Sequence, residues 1–97
     1  MGRRRTGGKI KNWDLVKGGS RNNFEGKGTQ KHRVYENRVT GARVRITQVY
    51  QPYGDTPYYY YVDSENESSD AWIQEETTNQ REAISLAVDW MRRNPAP

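Results

Sequence analysis

The chain has 97 residues, of which only 32% are hydrophobic, and it contains no cysteine. This length fits one independently folding domain, and the low apolar content predicts a thin core built largely from aromatic side chains. The lack of cysteine excludes disulfides, zinc–thiolate sites and thiol nucleophiles. No apolar run approaches the roughly 20 residues that a membrane-spanning helix needs. No apolar stretch follows the basic start, as a secretory signal would require, so we expect an intracellular, cytoplasmic protein.

The formal net charge of +4 conceals an uneven distribution along the chain. Residues 1–50 carry thirteen Lys and Arg against three acids, whereas residues 51–97 carry three Arg against nine acids. Such a basic half predicts a region that faces a polyanion. The alternative is a mixed-charge surface, in which the fold brings the two halves together and partly neutralises them.

The first third of the chain changes character twice. Residues 1–9 have glycines and cations but almost nothing to bury, so they are predicted to form a flexible basic arm preceding a single α+β domain at 10–97. Residues 10–16 are predicted to form a strand with Trp13 and Leu15 on one face. Residues 17–31 are rich in Gly, Asn and Lys and predict a long loop anchored by Phe24.

The clearest pattern in the chain is a β-hairpin. Residues 33–37 and 42–50 are its strands, and the turn at 38–41 contains Gly41, which can adopt a positive φ. Alternation along the return strand separates two faces. The predicted core face holds Val44, Ile46, Gln48 and Tyr50, and the outer face holds Arg43, Arg45, Thr47 and Val49.

Two further strands follow the hairpin. Residues 58–63 carry four consecutive tyrosines, so at least two of these rings must point outward. The acidic segment 64–70 is predicted to be a solvated loop. Residues 71–76 are predicted to form a short final strand around Trp72 and Ile73.

One amphipathic helix is predicted over residues 79–93. Asn79 is a suitable N-cap, and Glu82 completes a capping-box pattern. Arg92 and Arg93 complement the helix dipole, and Pro95 stops the helix. Its apolar face comprises Ala83, Ile84, Ala87, Val88, Trp90 and Met91. The sequence therefore predicts an α+β fold, with a three- to five-stranded antiparallel sheet packed against one C-terminal amphipathic helix.

Few residues suggest catalysis or metal binding. His32 is the single histidine, and its cationic neighbours Lys31 and Arg33 disfavour a metal, so we interpret it as an exposed strand residue. The acidic residues at 63–70 are interpreted as a solvated cluster, with weak Ca²⁺ or Mg²⁺ binding left as an alternative for Asp63, Glu65, Glu67 and Asp70. With no nucleophile–base pair, we expect no enzyme activity, no cofactor and no metal.

The remaining signal is cationic and aromatic, which is typical of nucleic-acid binding. An Arg-rich arm can track phosphates or enter a minor groove, and outward tyrosines can stack on bases. The candidate residues are Arg3, Arg4 and Arg5 in the arm, Lys27, Lys31, Arg33, Arg43 and Arg45 on one sheet face and its loop, and Tyr59 and Tyr61. The alternatives are a solubilising terminus and tyrosines that simply form the core.

The segment Thr77-Thr78-Asn79-Gln80-Arg81-Glu82-Ala83 is similar to the T-x-x-E-A helix opening of plant ethylene-response-factor DNA-binding domains and integrase amino-terminal domains. That resemblance covers about residues 33–93. It implies a sheet lying in the major groove, with Arg43 and Arg45 on the face that reads DNA.

A second pattern resembles small haloarchaeal proteins of no assigned activity. It consists of Trp13, then Asn37, Thr40 and Gly41, then Trp90-Met91-Arg92 with Asn94-Pro95. The resemblance implies ancestry and a non-enzymatic character, but it does not imply a particular role. Haloarchaeal proteins are typically acidic, so the basicity of this chain favours a polyanionic partner. We therefore expect a nucleic-acid-binding accessory protein of archaeal or viral type, or alternatively a protein-interaction or structural module that could self-associate as a homodimer.

Overall fold

The computed structural model describes residues 10–19, 23–65 and 71–97, which form a six-stranded antiparallel sheet and one helix. The elements are β1 (Trp13–Lys17), β2 (Glu25–Lys27), β3 (Gln30–Asn37), β4 (Arg43–Tyr50), β5 (Tyr58–Ser64), β6 (Gln74–Thr77) and α1 (Gln80–Arg93). The predicted α+β class is confirmed, with one strand more than expected. The predicted arm at 1–9, with Arg3, Arg4 and Arg5, lies outside the described residues.

The strands lie in the order β1-β3-β4-β5-β6, and β2 also pairs with β3. The prediction of an unbroken loop at 17–31 is therefore wrong at β2, which forms a tight hairpin with the start of β3. Its three residues, Glu-Gly-Lys, lack the β-branched and aromatic residues that mark a strand. The final strand also lies further along the chain than predicted, because Trp72 and Ile73 precede β6.

The hydrophobic core lies on the helix side of the sheet, meaning the face that packs against α1; the opposite face is called here the open face. Val44 and Ile46 are fully buried, which confirms the predicted core face of β4, and Val62 of β5 lies beside Ile46. Phe24 is partly buried against this core, with its ring 6.1 Å from that of Tyr60. The predicted anchor of the loop is thus confirmed.

Helix α1 begins as its capping residues predict. The Asn79 side chain accepts a hydrogen bond from the Glu82 backbone N–H at 2.9 Å, and the helix ends before Asn94. Two alanines, Ala83 and Ala87, are completely buried, so the helix can approach the sheet closely. No helix among the described residues is both long and apolar enough to cross a bilayer.

A polar and aromatic clamp joins the two ends of the described domain. The Trp13 and Trp90 rings meet edge to face at 5.9 Å, and the Trp13 indole donates to the Asn94 carbonyl at 3.0 Å. The buried Asn37 amide donates to the Pro95 carbonyl at 2.8 Å. Its oxygen accepts from the backbone N–H groups of Val39 and Thr40 in the β3–β4 turn. Trp13, Asn37, Trp90, Asn94 and Pro95, which the sequence analysis grouped into one pattern, therefore meet here and hold the fold together.

Candidate nucleic-acid interface

Four of the residues predicted to contact nucleic acid lie on the open face in β4 and β5. The β4–β5 register pairs Arg45 with Asp63 and places Tyr61 and Tyr59 further along the same face, with Arg43 on the other side of Arg45. Because alternate residues of a strand share a face, these four side chains point away from α1. The prediction that Arg43 and Arg45 point outward together is confirmed, as is the outward position of two tyrosines.

Both of these arginines have carboxylate partners. Arg43 Nε lies 3.3 Å from a Glu36 oxygen, and Arg45 lies 3.3 Å from Asp63 and 3.7 Å from Glu65. Exposed pairs of this kind contribute only about 0–1 kcal/mol to stability. The ion pairs matter more for ligand binding than for stability. The acid beside each arginine offsets its positive charge, so the pair attracts a phosphate only weakly from a distance. The fold thus brings the basic and acidic halves together at Arg45.

Arg33 does not share that face, which corrects the prediction that it belongs to the same phosphate-binding surface. It is only 7% exposed and lies on the helix side of the sheet. Its guanidinium donates to the Tyr35 hydroxyl at 2.7 Å and to the Gly19 and Asn23 carbonyls at 2.8 and 3.2 Å. Arg33 therefore links the loop after β1 to the sheet, with its Nε and one terminal nitrogen donating within the protein.

His32 lies on the open face, where the structure shows it half-buried rather than exposed. Its Nδ1 lies 3.1 Å from the Thr47 hydroxyl. Burial, and then the positive charges of Lys17 and Arg45, lower the pKa of His32 below its ordinary 6.5, with Asp63 opposing them. The shift favours the neutral imidazole, so His32 contributes little positive charge to this face near pH 7.

The described residues contain no group of three or more His, Asp or Glu side chains that could hold a metal ion. Of the acids considered for weak cation binding, Asp63 and Glu65 pair with Arg45. The other two, Glu67 and Asp70, lie outside the described residues.

The two predicted lysines lie on the β2–β3 hairpin. Lys31 faces the helix side, where its cross-strand neighbours are Gly26 and Gln48, and neither of these carries a charge. Lys27 is opposite Gln30 on the other face of the same hairpin. Both lysines are exposed, and within the part of the chain that the structure describes neither forms an ion pair. They are thus more available to an external anion than Arg43 or Arg45.

A recess of about 280 Å³ adjoins Lys31 on the helix side. The sheet here extends past α1, so Tyr50 and Tyr58 remain 42% and 41% exposed instead of joining the core. The lining residues are Gly28, Thr29, Lys31, Gln48, Tyr50 and Tyr58. The sequence prediction selected Tyr59 and Tyr61 and missed this pair. Treating the Pro-rich turn at 51–57 as the tip of a hairpin would have found it, because Tyr50 and Tyr58 flank that turn.

The charges of the whole chain are divided unevenly between its first residues and the rest. Residues 1–9 carry four cations and no acid, which equals the full formal net charge of +4. The remainder balances twelve cations against twelve acids. A folded body with no net charge attracts a polyanion only through local clusters of cations.

Comparisons with known proteins supply no relative for this chain: no family model matches it, and neither a curated protein nor a solved structure does.

Proposed function

We propose that this protein is a nucleic-acid-binding accessory protein. It contacts phosphates through the basic residues of segment 1–9 and through Lys27 and Lys31, rather than through Arg43 and Arg45. The observation that carries the proposal is the division of the sheet cations. The arginines are ion-paired or buried, whereas both hairpin lysines are exposed and have no carboxylate partner among the described residues.

The expected binding mode is largely independent of base sequence. Lysines that neutralise phosphates release condensed counterions, and this term supplies essentially all of non-specific affinity. Because the chain outside residues 1–9 has no net charge, binding should depend on a few contacts and remain sensitive to salt. The haloarchaeal resemblance supports an archaeal or viral setting for this role.

A salt titration tests the proposal. The fluorescence anisotropy of a labelled DNA duplex of random sequence is measured with the full chain between about 50 and 200 mM salt. Log affinity falls as log salt rises, and the double substitution Lys27→Gln and Lys31→Gln should make this negative slope shallower by about two. The reason is that each lost phosphate contact removes about 0.9 from its magnitude. The matched control, Arg81→Gln with Arg92→Gln, removes two exposed cations from α1 and should leave the slope unchanged.

Two results would contradict the proposal. One is an absence of binding at low salt by the unsubstituted chain. The other is a slope that the lysine substitutions leave unaltered, which would show that the hairpin makes no phosphate contacts.

The alternative, a module that pairs with proteins or with itself through a sheet edge, has less support. Exposed Glu75 and Glu76 lie on edge strand β6, and pairing two copies there would bring like charges together. At the other edge, the register of β1 shifts between Leu15 and Lys17, and such irregularities hinder strand addition. A rise in mass with concentration, measured by light scattering, would favour the alternative.

A further inference from the structure

We infer that the recess beside Lys31 holds one unstacked base of a single-stranded nucleic acid, with Lys31 on the adjoining phosphate. The inference rests on the proposed function and specifies that the protein prefers a single-stranded nucleic acid to a duplex. The cavity is called here the base recess, and it is lined by Lys31, Gln48, Tyr50, Tyr58 and the turn at Gly28 and Thr29.

The aromatic wall of the base recess comes from a cross-strand pair. Tyr50 of β4 lies opposite Tyr58 of β5, and their ring centroids are 5.2 Å apart with planes inclined at 53°. Both rings remain about two-fifths exposed, so the pair offers aromatic surface to a ligand. Any of the four bases can stack on an exposed tyrosine face. Loss of one such stacked base typically weakens binding several-fold or more.

The boundary of the recess is set by the first turn of α1. The Tyr60 hydroxyl donates to the Gln80 side chain at 3.2 Å, so the helix covers Tyr60. The next cross-strand pair on the same face, Tyr50 with Tyr58, is left uncovered. On the opposite side, the Tyr50 N–H donates to the Thr29 carbonyl at 2.8 Å and fixes the β2–β3 turn as the second wall. The recess is therefore part of the folded sheet.

Polar groups at the base recess suit a nucleotide. The Gln48 amide nitrogen donates to the Tyr60 hydroxyl at 3.1 Å, which orients the amide and leaves its carbonyl oxygen to accept from a base amino group. Lys31 shares this face as an exposed ammonium with no carboxylate opposite it. A volume of about 280 Å³ is near the lower limit of ligand pockets, which is appropriate for a single base.

The geometry favours a single strand over a duplex. A base inside a duplex has both faces stacked, so it presents no face to the tyrosines that form the aromatic wall of the recess. A flexible strand can turn one base inward while its neighbouring phosphate remains beside Lys31. DNA and RNA share the groups that this site contacts.

The test compares a short labelled oligo-dT strand with a duplex of equal length, using the full chain and fluorescence anisotropy. Replacing both Tyr50 and Tyr58 by Leu keeps apolar bulk but removes the ring faces. It should weaken binding of the single strand by roughly 5- to 150-fold, as expected for the loss of one stacked base, and leave the duplex affinity within about twofold. Replacing both residues by Phe keeps the rings and should restore the affinity for the single strand.

Tyr53 provides a matched control, because it is 80% exposed in the turn at 51–57 and does not line the recess. Tyr53→Leu should bind both probes as the unsubstituted chain does. If the Leu variant keeps its affinity for the single strand while the salt response through Lys27 and Lys31 persists, the base recess is refuted and the proposed function stands. If the unsubstituted chain binds neither probe at low salt, both are refuted.

Discussion

At the scale of single residues, Arg33 shows that a cation in a basic segment need not be a binding residue. Its strand continues Arg-Val-Tyr-Glu, with apolar groups at consecutive positions, so alternation alone does not decide which face is buried. The structure puts Tyr35 and Arg33 on the helix side, where the guanidinium donates to a hydroxyl and two carbonyls. Hydrogen bonds from a charged donor contribute about 1.5–3 kcal/mol each, so they can hold a buried cation in place.

Arg33→Met should therefore affect stability and leave binding unchanged. Removing the guanidinium leaves the Tyr35 hydroxyl and the Gly19 carbonyl without their partner, and the free energy of unfolding should fall by roughly 1–3 kcal/mol. Urea denaturation measures this fall, with exposed Arg81→Met as a control that should stay near the parent value. If the variant instead keeps the parental stability but binds DNA more weakly, Arg33 contacts the nucleic acid and this account of Arg33 is wrong.

At the scale of elements, the β2–β3 hairpin is the part of the fold that the sequence failed to reveal and that matters most for the proposed site. Gly26, in the middle of β2, has a φ of 149°. A Cβ there would lie 2.6 Å from the Gln30 carbonyl oxygen and 2.9 Å from the Lys31 Cα. The strand can approach β3 because it lacks a side chain at this point, and a sequence rich in Gly and Lys does not indicate such pairing.

Gly26→Ala should consequently loosen the hairpin. Backbone atoms must move to admit the methyl group, and an unfavourable φ adds strain of order 1–3 kcal/mol. Amide exchange of β2 and the start of β3 should accelerate, and affinity for DNA should fall with it.

Gly28→Ala is the matched control for this substitution. Gly28 also has a positive φ, 69°, but nothing lies within 4 Å of a Cβ placed there. It should incur only the backbone cost of about 1–2 kcal/mol and preserve the pairing of β2. Equal exchange rates in the two variants would show that close packing at Gly26 is unimportant.

At the scale of the whole molecule, the sequence predicts the architecture better than the interface. The helix cap at Asn79, the turn at Gly41 and the alternation around Val44 and Ile46 are local signals, and the structure confirms each of them. Cross-strand partners depend on register, which a single sequence specifies weakly. That is why the pairing of Arg45 with Asp63 and the exposure of Tyr50 beside Tyr58 were not predicted.

The balance of charge also becomes meaningful only at this scale. The outer arginines that dominate the sequence pattern are offset by neighbouring acids once the sheet forms. The two lysines of the β2–β3 hairpin are left exposed, and Lys31 lies beside an aromatic recess. We therefore place the proposed interface at one corner of the sheet instead of at the centre of the open face.

The most direct test of an interface at the β2–β3 hairpin and the base recess is an NMR titration of the isotope-labelled full chain with oligo-dT at low salt. We predict that backbone amide shifts change most at Lys27 to Lys31 and at Gln48, Tyr50 and Tyr58, while Arg43, Arg45 and Asp63 change little. Shifts concentrated at Arg43, Arg45 and Asp63, with the hairpin unaffected, would contradict the proposed interface.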